Sequence, residues 1–121
     1  MGEPDANIHQ PTRLRIMALL SGVQEADFNF LLGTLGLTSG NLSVQAGKLE
    51  QAGYVEITKS FVGKIPRTVY RLTDLGRTRL KEYWEAMDAI RALTQQAAAV
   101  QEASETAAGR LRTHCLDGES A

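Results

Sequence analysis

The feature that most constrains the fold of this chain is a pair of short helical patterns separated by about three residues. The first pattern ends at Gly36, and the second covers roughly 39–52 with Thr38 or Ser39 as its cap. The apolar residues of the second helix recur at helical spacing at Leu42, Ala46 and Leu49. Two helices joined by so tight a connection predict a helix-turn-helix.

Two strand-like segments follow the second helix. Aromatic and β-branched residues predict strands over 54–58 and 68–72. Gly63 and Pro66 favour a hairpin loop over 60–67 rather than a continuing pair of strands. Because a β-hairpin directly after a helix-turn-helix is a wing, the order of elements predicts a winged helix-turn-helix.

Further helices flank this central part of the chain. Pro11 suits the first turn of a helix over roughly 11–21, and the polar residues 1–8 before it are expected to form a loose arm. After the strands, apolar residues recur every three or four positions, which predicts a helix that starts near 73 and ends by Gly109. A helix over 73–108 would be about 54 Å long at ~1.5 Å per residue. Since that exceeds the width of a small domain, part of it must pack on a partner chain or lie in solvent.

Length and composition agree with a small globular protein. The 121 residues suit one structural domain, with a winged helix-turn-helix over 1–79 and a dimerisation helix with a polar tail over 80–121. The fold class is mainly α with a β-hairpin (α+β), a winged helix-turn-helix with a long C-terminal dimerisation helix. No run approaches the ~18 consecutive apolar residues of a membrane span, and no secretory signal is evident. We therefore expect a cytoplasmic protein with no membrane partner.

The charge of the chain is unevenly distributed. A net charge of −1 argues at first against a nucleic-acid binder. Residues 38–79, however, carry seven basic and three acidic side chains, whereas residues 80–121 carry four basic and seven acidic ones. The basic part can supply the phosphate contacts that dominate affinity for DNA.

The predicted second helix carries side chains suited to reading bases. In a helix-turn-helix, the N-terminal residues of this helix contact base edges in the major groove. Asn41 and Gln45 can bond adenine, Val44 can meet a thymine methyl, and Gly40 lets the backbone approach closely. A single helix with these residues is more often an ordinary capped surface helix. The basic hairpin that follows it makes DNA binding the favoured interpretation. The predicted DNA-binding residues are Thr38, Ser39, Gly40, Asn41, Ser43, Val44, Gln45, Lys48, Lys59, Lys64, Pro66 and Arg67.

An ordered run of residues carries a family resemblance. The run comprises LTSGNLS at 37–43, KLEQAGYV at 48–55, KSFVGK at 59–64, PRT at 66–68, YRLT at 70–73 and GR at 76–77. It resembles the small winged-helix transcriptional regulators related to the MarR and ArsR groups, over roughly residues 8–90. The resemblance implies a homodimer that places two recognition helices in successive major grooves of double-stranded DNA. It also implies wings on the flanking backbone or minor groove, and dimerisation through the terminal helices.

Two residues depart from that family pattern. Gly47 lies in mid-helix where relatives often carry a basic residue, and it costs roughly 0.5–1 kcal/mol relative to alanine. Ala46 is smaller than the apolar residue expected at its position. Together with the low net charge, Gly47 keeps open an alternative function, a winged-helix module that binds protein without specific DNA binding.

The predicted last helix carries the candidate dimer interface. A large apolar stripe must be covered, and small residues let helices approach closely. For the alanine-rich stretch 97–108, a solvent-exposed helix favoured by propensity alone stays an alternative. The predicted interface residues are Leu80, Tyr83, Trp84, Met87, Ile90, Leu93, Ala97 and Val100.

Nothing in the sequence predicts an enzyme, a cofactor or a metal site. His9, His114 and Cys115 are the only soft metal ligands and form no cluster in the sequence. Aromatic residues could line a pocket for an unknown small-molecule effector, although core and interface packing is the more common role of aromatics at helical spacing. Those aromatic residues are Phe28, Phe30, Phe61, Tyr83 and Trp84.

Overall fold

Four helices and three strands make up residues 3–120, the part of the chain that the computed structural model describes, with side chains described for residues 3–106. The elements are α1 (Pro11–Ser21), β1 (Ala26–Asp27), α2 (Phe28–Leu35), α3 (Ser39–Gln51), β2 (Val55–Val62), β3 (Ile65–Leu72) and α4 (Asp74–Ser120). The strands form one antiparallel sheet in the order β1-β3-β2. The chain divides into two compact units, Met1–Ala86 and Met87–Ala121. The predicted α+β class, with a hairpin and a long last helix, is confirmed.

Side-chain caps and a left-handed glycine define the helix-turn-helix. The Asp27 carboxylate accepts a hydrogen bond from the Phe30 amide at 2.7 Å and caps α2. Gly36 ends α2 in the left-handed conformation, with φ of 65°, which a residue with a side chain rarely adopts. The Thr38 hydroxyl then accepts from the Asn41 amide at 3.2 Å and starts α3. The predicted connection between the two helices is therefore confirmed.

The core of the Met1–Ala86 unit lies between the first three helices, the inner face of the sheet and the start of α4. The three apolar residues predicted to face inward from α3 are fully buried, so that face is confirmed. Burial of this kind stabilises a domain by roughly 25 cal/mol per Å² of apolar surface removed from water. The core residues of the helices are Ile16, Met17, Leu20, Leu31, Leu42, Ala46, Leu49, Leu80 and Tyr83, and those at the sheet are Ala26, Tyr54, Val55, Tyr70 and Leu72.

The N-terminal arm is ordered from Asp5 onward, so the predicted loose arm over 1–8 is wrong there. The carbonyl oxygen of Asp5 accepts from the amides of Ile8 and His9 at 3.0 and 2.7 Å. The Asp5 carboxylate accepts a hydrogen bond from the Tyr54 hydroxyl. Ile8 is fully buried, and this single apolar side chain attaches the arm to the core. Because the residues around Ile8 are polar, its burial could not be predicted from the sequence.

The hairpin is longer than predicted, and the expected loop over 60–67 is wrong. Pairing continues to Val62 opposite Ile65, which leaves a two-residue turn at 63–64. Gly63 has φ of 64°, the pattern of a type II′ turn, which matches the twist of the strands. Pro66 faces Phe61, the pair next to the hydrogen-bonded pair that flanks the turn. At such a position the missing N–H of proline would point away from β2, so the ladder loses no bond.

The first turn of α4 packs directly against the junction of α3 and β2. The Thr73 hydroxyl donates to the Gly53 carbonyl at 2.7 Å and accepts from the Gly76 amide at 2.9 Å. The Thr73 amide donates to the Tyr54 carbonyl at 3.0 Å. These bonds make Thr73 the cap of α4, which starts close to the predicted position 73. The helix then passes Gly109, its predicted end, because one glycine among good helix formers costs only about 1 kcal/mol.

Candidate nucleic-acid interface

The outer face of α3 is polar and open to solvent. Most of the side chains predicted there to contact DNA are exposed, because the three buried residues of α3 fix the orientation of the helix. A Cβ atom added at Gly40 or Gly47 would meet nothing within 4 Å, so no neighbouring group covers either position. The exposed residues of the predicted set at this end are Thr38, Ser39, Gly40, Asn41, Ser43, Val44 and Lys48.

Gln45 differs from the other residues of this set. It is half-buried, and its amide oxygen accepts a hydrogen bond from Arg13 at 2.8 Å. Arg13 also donates to the Asn7 carbonyl at 2.6 Å, so the guanidinium links the N-terminal arm to α3. A bidentate bond from Gln45 to adenine would share that oxygen with Arg13, whereas the amide nitrogen keeps its donors. The sequence did not identify Arg13, because it lies 32 positions from Gln45 and belongs to no local pattern.

The basic residues of 38–79 divide into two groups. Arg71 pairs with Glu25 at 3.2 Å and Arg79 with Glu82 at 2.9 Å. Arg77 donates to the Ser21 carbonyl at 3.2 Å, at the end of α1. These three guanidinium groups therefore already have partners within the chain. In the described part of the chain, no salt bridge involves the other four, which are exposed: Lys48, Lys59, Lys64 and Arg67.

The hairpin β2–β3, called the wing below, places three of these four cations on one narrow ribbon. Lys64 occupies the turn, Arg67 lies opposite Ser60, and Lys59 lies opposite Thr68. Pro66 is also exposed. The outer part of the wing therefore presents positive charge to a polyanion. The carboxylates nearest to it are Glu56, at the base of the hairpin opposite Arg71, and Asp27, which lines the same surface depression as Arg67. It also exposes apolar side chains that were not predicted to contact DNA, among them Phe61, which is 72% exposed.

The residues predicted for a dimer interface fall into two classes. Leu80 and Tyr83 are buried within the Met1–Ala86 unit, and the Tyr83 hydroxyl lies 3.1 Å from His9 Nδ1. These two side chains therefore belong to the core of their own chain. The others are exposed or half-buried: Trp84, Met87, Ile90, Leu93, Ala97 and Val100. The described side chains end at residue 106, before the last two alanines of the stretch 97–108 and the polar tail 110–121.

Two of the aromatic residues considered for an effector pocket pack inside the Met1–Ala86 unit. Phe28 stacks on Tyr70 with ring centroids 6.5 Å apart. Tyr83 contacts Trp84 edge-on, with centroids 5.5 Å apart. Phe30 is half exposed at the start of α2. These contacts favour packing over ligand binding for Phe28 and Tyr83.

No metal centre is formed by the side chains described for residues 3–106, since they contain no group of three His, Cys, Asp or Glu residues close enough to hold an ion. His114 and Cys115 lie outside those side chains. Within the described part of the chain, no helix has both the length and the apolar character needed to cross a bilayer.

Comparisons with known proteins agree with this geometry. Residues 12–91 match the family described as winged helix DNA-binding domain. An uncharacterized protein of Methanocaldococcus jannaschii is 41% identical over 71 residues, which cover 59% of this chain and 77% of that protein. A transcriptional regulator homologue of Pyrococcus horikoshii OT3 has a similar structure, with a TM-score of 0.68 and 32% identity over 71% of this chain and 85% of its own. A PadR family transcriptional regulator of Eggerthella lenta shares the fold, with a TM-score of 0.58 and 22% identity over 71% of this chain and 84% of its own.

Proposed function

We propose that this chain, which belongs to the winged helix DNA-binding domain family, is a sequence-specific regulator of transcription that acts as a dimeric repressor. The family and the similarity to a transcriptional regulator homologue support a DNA-binding regulator. The observation that carries the proposal is the combination of a capped, outward-facing α3 with a wing whose cations form no salt bridge in the described part of the chain. Repression would follow from occlusion of a promoter at a pseudo-palindromic site.

In this proposal, α3 is the recognition helix and lies in the major groove. Asn41 bonds adenine through its amide, and Ser43 donates to or accepts from a neighbouring base edge. Lys48, one to two turns further along, contacts a base or the flanking phosphate. Gln45 contributes donors from its amide nitrogen, in an orientation that Arg13 holds. Val44 meets a thymine methyl. The N-terminus of α3, at Thr38 and Ser39, favours phosphate, and Gly40 lets the backbone approach closely.

The wing supplies the phosphate contacts. Lys64 in the turn and Arg67 on β3 are exposed and lie within four residues of each other. Each contact to phosphate releases counterions, so each contributes nearly one unit to the slope of log affinity against log salt concentration. Lys59 extends the same positive surface toward the base of the hairpin.

A salt titration of DNA binding tests the proposal. The probe is a duplex selected by the wild-type protein from a randomised pool. Lys64→Ala and Arg67→Ala should each flatten the log–log slope by nearly one unit and weaken binding to all sequences alike. Lys81→Ala is the matched control, because Lys81 is an exposed cation of α4 outside the proposed interface. Unchanged slopes in both wing variants would remove the wing from the DNA interface.

The regulator is proposed to act as a homodimer through α4, with residues 1–79 as the DNA-binding part and residues 80–121 as the dimerisation part. The exposed apolar residues of α4 beyond Met87 support this arrangement, because burying them against a second chain would remove apolar surface from water. A regulator of this kind binds chromosomal DNA in the cytoplasm of a bacterium or archaeon. A small-molecule effector remains a hypothesis, which a thermal-shift screen with metabolites tests.

A second candidate function is a winged-helix module that binds another protein. Val44 favours it, because this apolar side chain is 55% exposed in the middle of the outer face of α3. A gel shift against genomic fragments at low salt distinguishes the two functions. Specific shifts support the DNA-binding regulator, whereas their absence with the fold intact supports the protein-binding module.

A further inference from the structure

The end of the wing is apolar, which phosphate contacts alone do not explain. Residues 61–66, called the wing tip below, carry four apolar side chains around the turn. Phe61, Val62 and Ile65 are 72%, 61% and 70% exposed, and Pro66 is exposed as well. Single apolar residues on a surface are ordinary, but four exposed ones within six positions at the end of one hairpin are not, and they point to an interaction site.

Strand pairing distributes these side chains over both faces of the ribbon. Phe61 lies opposite Pro66, and Val62 lies opposite Ile65. Because successive residues of a strand point to opposite faces, each face of the wing tip presents one apolar pair. Gly63 keeps the turn to two residues, so the ribbon ends in these two pairs without a wider loop. The wing tip is therefore a narrow wedge that is apolar on both faces.

The charges around the wedge indicate its partner. Between Glu56 and Asp74 the sequence contains no acidic residue, while Lys59, Lys64 and Arg67 surround the apolar pairs. An apolar protein surface gains little from a ring of cations. A DNA duplex offers phosphates along its edges and the apolar faces of bases between them, which complements both features of the wing tip.

The dimensions of the groove add a constraint. Two paired strands lie about 4.8 Å apart before side chains are added, whereas the minor groove of B-DNA is about 6 Å wide. The wing tip with its side chains therefore fits only a widened groove. Phenylalanine, isoleucine and proline are among the residues that architectural proteins insert between base steps, where they unstack and kink the duplex.

We propose that the wing tip inserts Phe61, with Pro66 beside it on the same face of the ribbon, at a base step in the minor groove and partly unstacks it. The proposal rests on the proposed DNA-binding function and adds a second source of specificity to it. Pyrimidine–purine steps such as TA and CA/TG deform easily, and A-tracts are stiff. Sites with a flexible step under each wing tip are therefore bound more tightly, although no side chain reads a base edge at that step.

The experiment measures unstacking and affinity separately with the full-length chain. The probes are a set of duplexes with the sequence selected by the wild-type protein. Each carries the fluorescent base 2-aminopurine at one candidate step, next to the region that the bound protein protects from cleavage. Binding of the wild-type protein should increase 2-aminopurine fluorescence at one step on each side. Phe61→Ala should abolish the increase and lower affinity about tenfold for a TA step. It should lower affinity much less for an A-tract at the same place, and leave the salt slope unchanged.

Controls keep this inference distinct from the proposed function. Lys64→Ala should flatten the salt slope while the fluorescence increase persists, since it removes a phosphate contact and leaves the wedge. A specific complex of the wild-type protein with no fluorescence change at any step would overturn the inference and leave the DNA-binding function standing. Equal losses for the TA and A-tract duplexes in Phe61→Ala would also overturn it. If Phe61→Ala instead dissociates the DNA-free protein in sedimentation, the wing tip contacts a second copy of this chain and the inference is wrong.

Discussion

Two glycine-to-alanine substitutions in this chain should change its stability in opposite directions. At Gly76, in the first turn of α4, an added Cβ would lie 2.2 Å from the Tyr54 carbonyl oxygen and 2.9 Å from Leu72 Cδ1. At Gly47, in the middle of α3, the same atom would meet nothing within 4 Å. The chemical change is identical, so any difference between the variants reports the local space.

The magnitude at Gly76 follows from the displacement that the new atom requires. Ordinary van der Waals contact begins near 3.4 Å, so the Tyr54 backbone and α4 must separate by about 1.2 Å. The Tyr54 carbonyl also accepts from the Thr73 amide at 3.0 Å, and the separation would strain that bond. Overpacking costs about 1–3 kcal/mol and a weakened hydrogen bond about 1 kcal/mol. We expect Gly76→Ala to lower the free energy of unfolding by about 3 kcal/mol.

At Gly47 the helix gains without a steric cost. Alanine is favoured over glycine in a helix interior by roughly 0.5–1 kcal/mol, so Gly47→Ala should stabilise the protein by that amount. Urea unfolding followed by circular dichroism measures both variants, at one protein concentration because a dimer unfolds in a concentration-dependent way. Equal stability of Gly76→Ala and the wild type would refute the close approach of α4 to Tyr54. Destabilisation by Gly47→Ala would refute the open space beside α3.

Three further predictions test other parts of the structure. Ile8→Ala should cost about 2–5 kcal/mol in urea unfolding because Ile8 is fully buried, whereas the exposed Ile65→Ala should change stability by less than about 0.5 kcal/mol. Burial, followed by the hydrogen bond to Asp5, raises the pKa of Tyr54 above its usual 10.0. The stability that this hydroxyl contributes is complete below pH 10 and is lost as the pH rises through its folded-state pKa. Above pH 10, the urea concentration at the unfolding midpoint should therefore fall less in Tyr54→Phe than in the wild type. Leu93→Asp should shift the protein toward monomer in sedimentation equilibrium, because Leu93 is 59% exposed on the proposed dimer surface, and an unchanged mass would exclude that surface.

The sequence predicted the elements whose signals are local. The limits of α2 and α3 follow from side chains that bond to the backbone three residues away, as at Asp27 and Thr38. The buried face of α3 follows from helical periodicity alone, since apolar residues spaced by three and four must share one side. These parts of the fold required no knowledge of tertiary contacts.

The features that were missed depend on contacts between distant residues. β1 has two residues, too few for a periodic pattern, and exists because Ala26 pairs with Tyr70. The strands of the wing extend through Pro66 because that residue lies where β3 needs no donor, which depends on register. Arg13 reaches Gln45 only after α1 and α3 have packed. Composition and spacing contain none of this information.

In the candidate interface, too, some features could be predicted from the sequence and others could not. The exposure of Asn41, Ser43 and Lys48 follows from the buried face of α3, so the sequence could place these side chains correctly on the surface. A count of cations, by contrast, overestimated the positive surface. Arg71 and Arg79 are paired with carboxylates. The sequence could not distinguish the cations that pair with carboxylates of the same chain from those that form no salt bridge in its described part.

The exposed apolar residues of α4 beyond Met87 support the proposed homodimer. Leu80 and Tyr83 are buried in the Met1–Ala86 unit, so the first turns of the helix complete the core of one chain. Farther along, exposed apolar residues are spaced by three, four and three positions, at Ile90, Leu93, Ala97 and Val100. That spacing matches the a and d positions of a coiled coil, in which two helices with the same repeat pack together. A second copy of this chain offers that repeat, and a twofold axis through the seam would relate two recognition helices, as a pseudo-palindromic site requires.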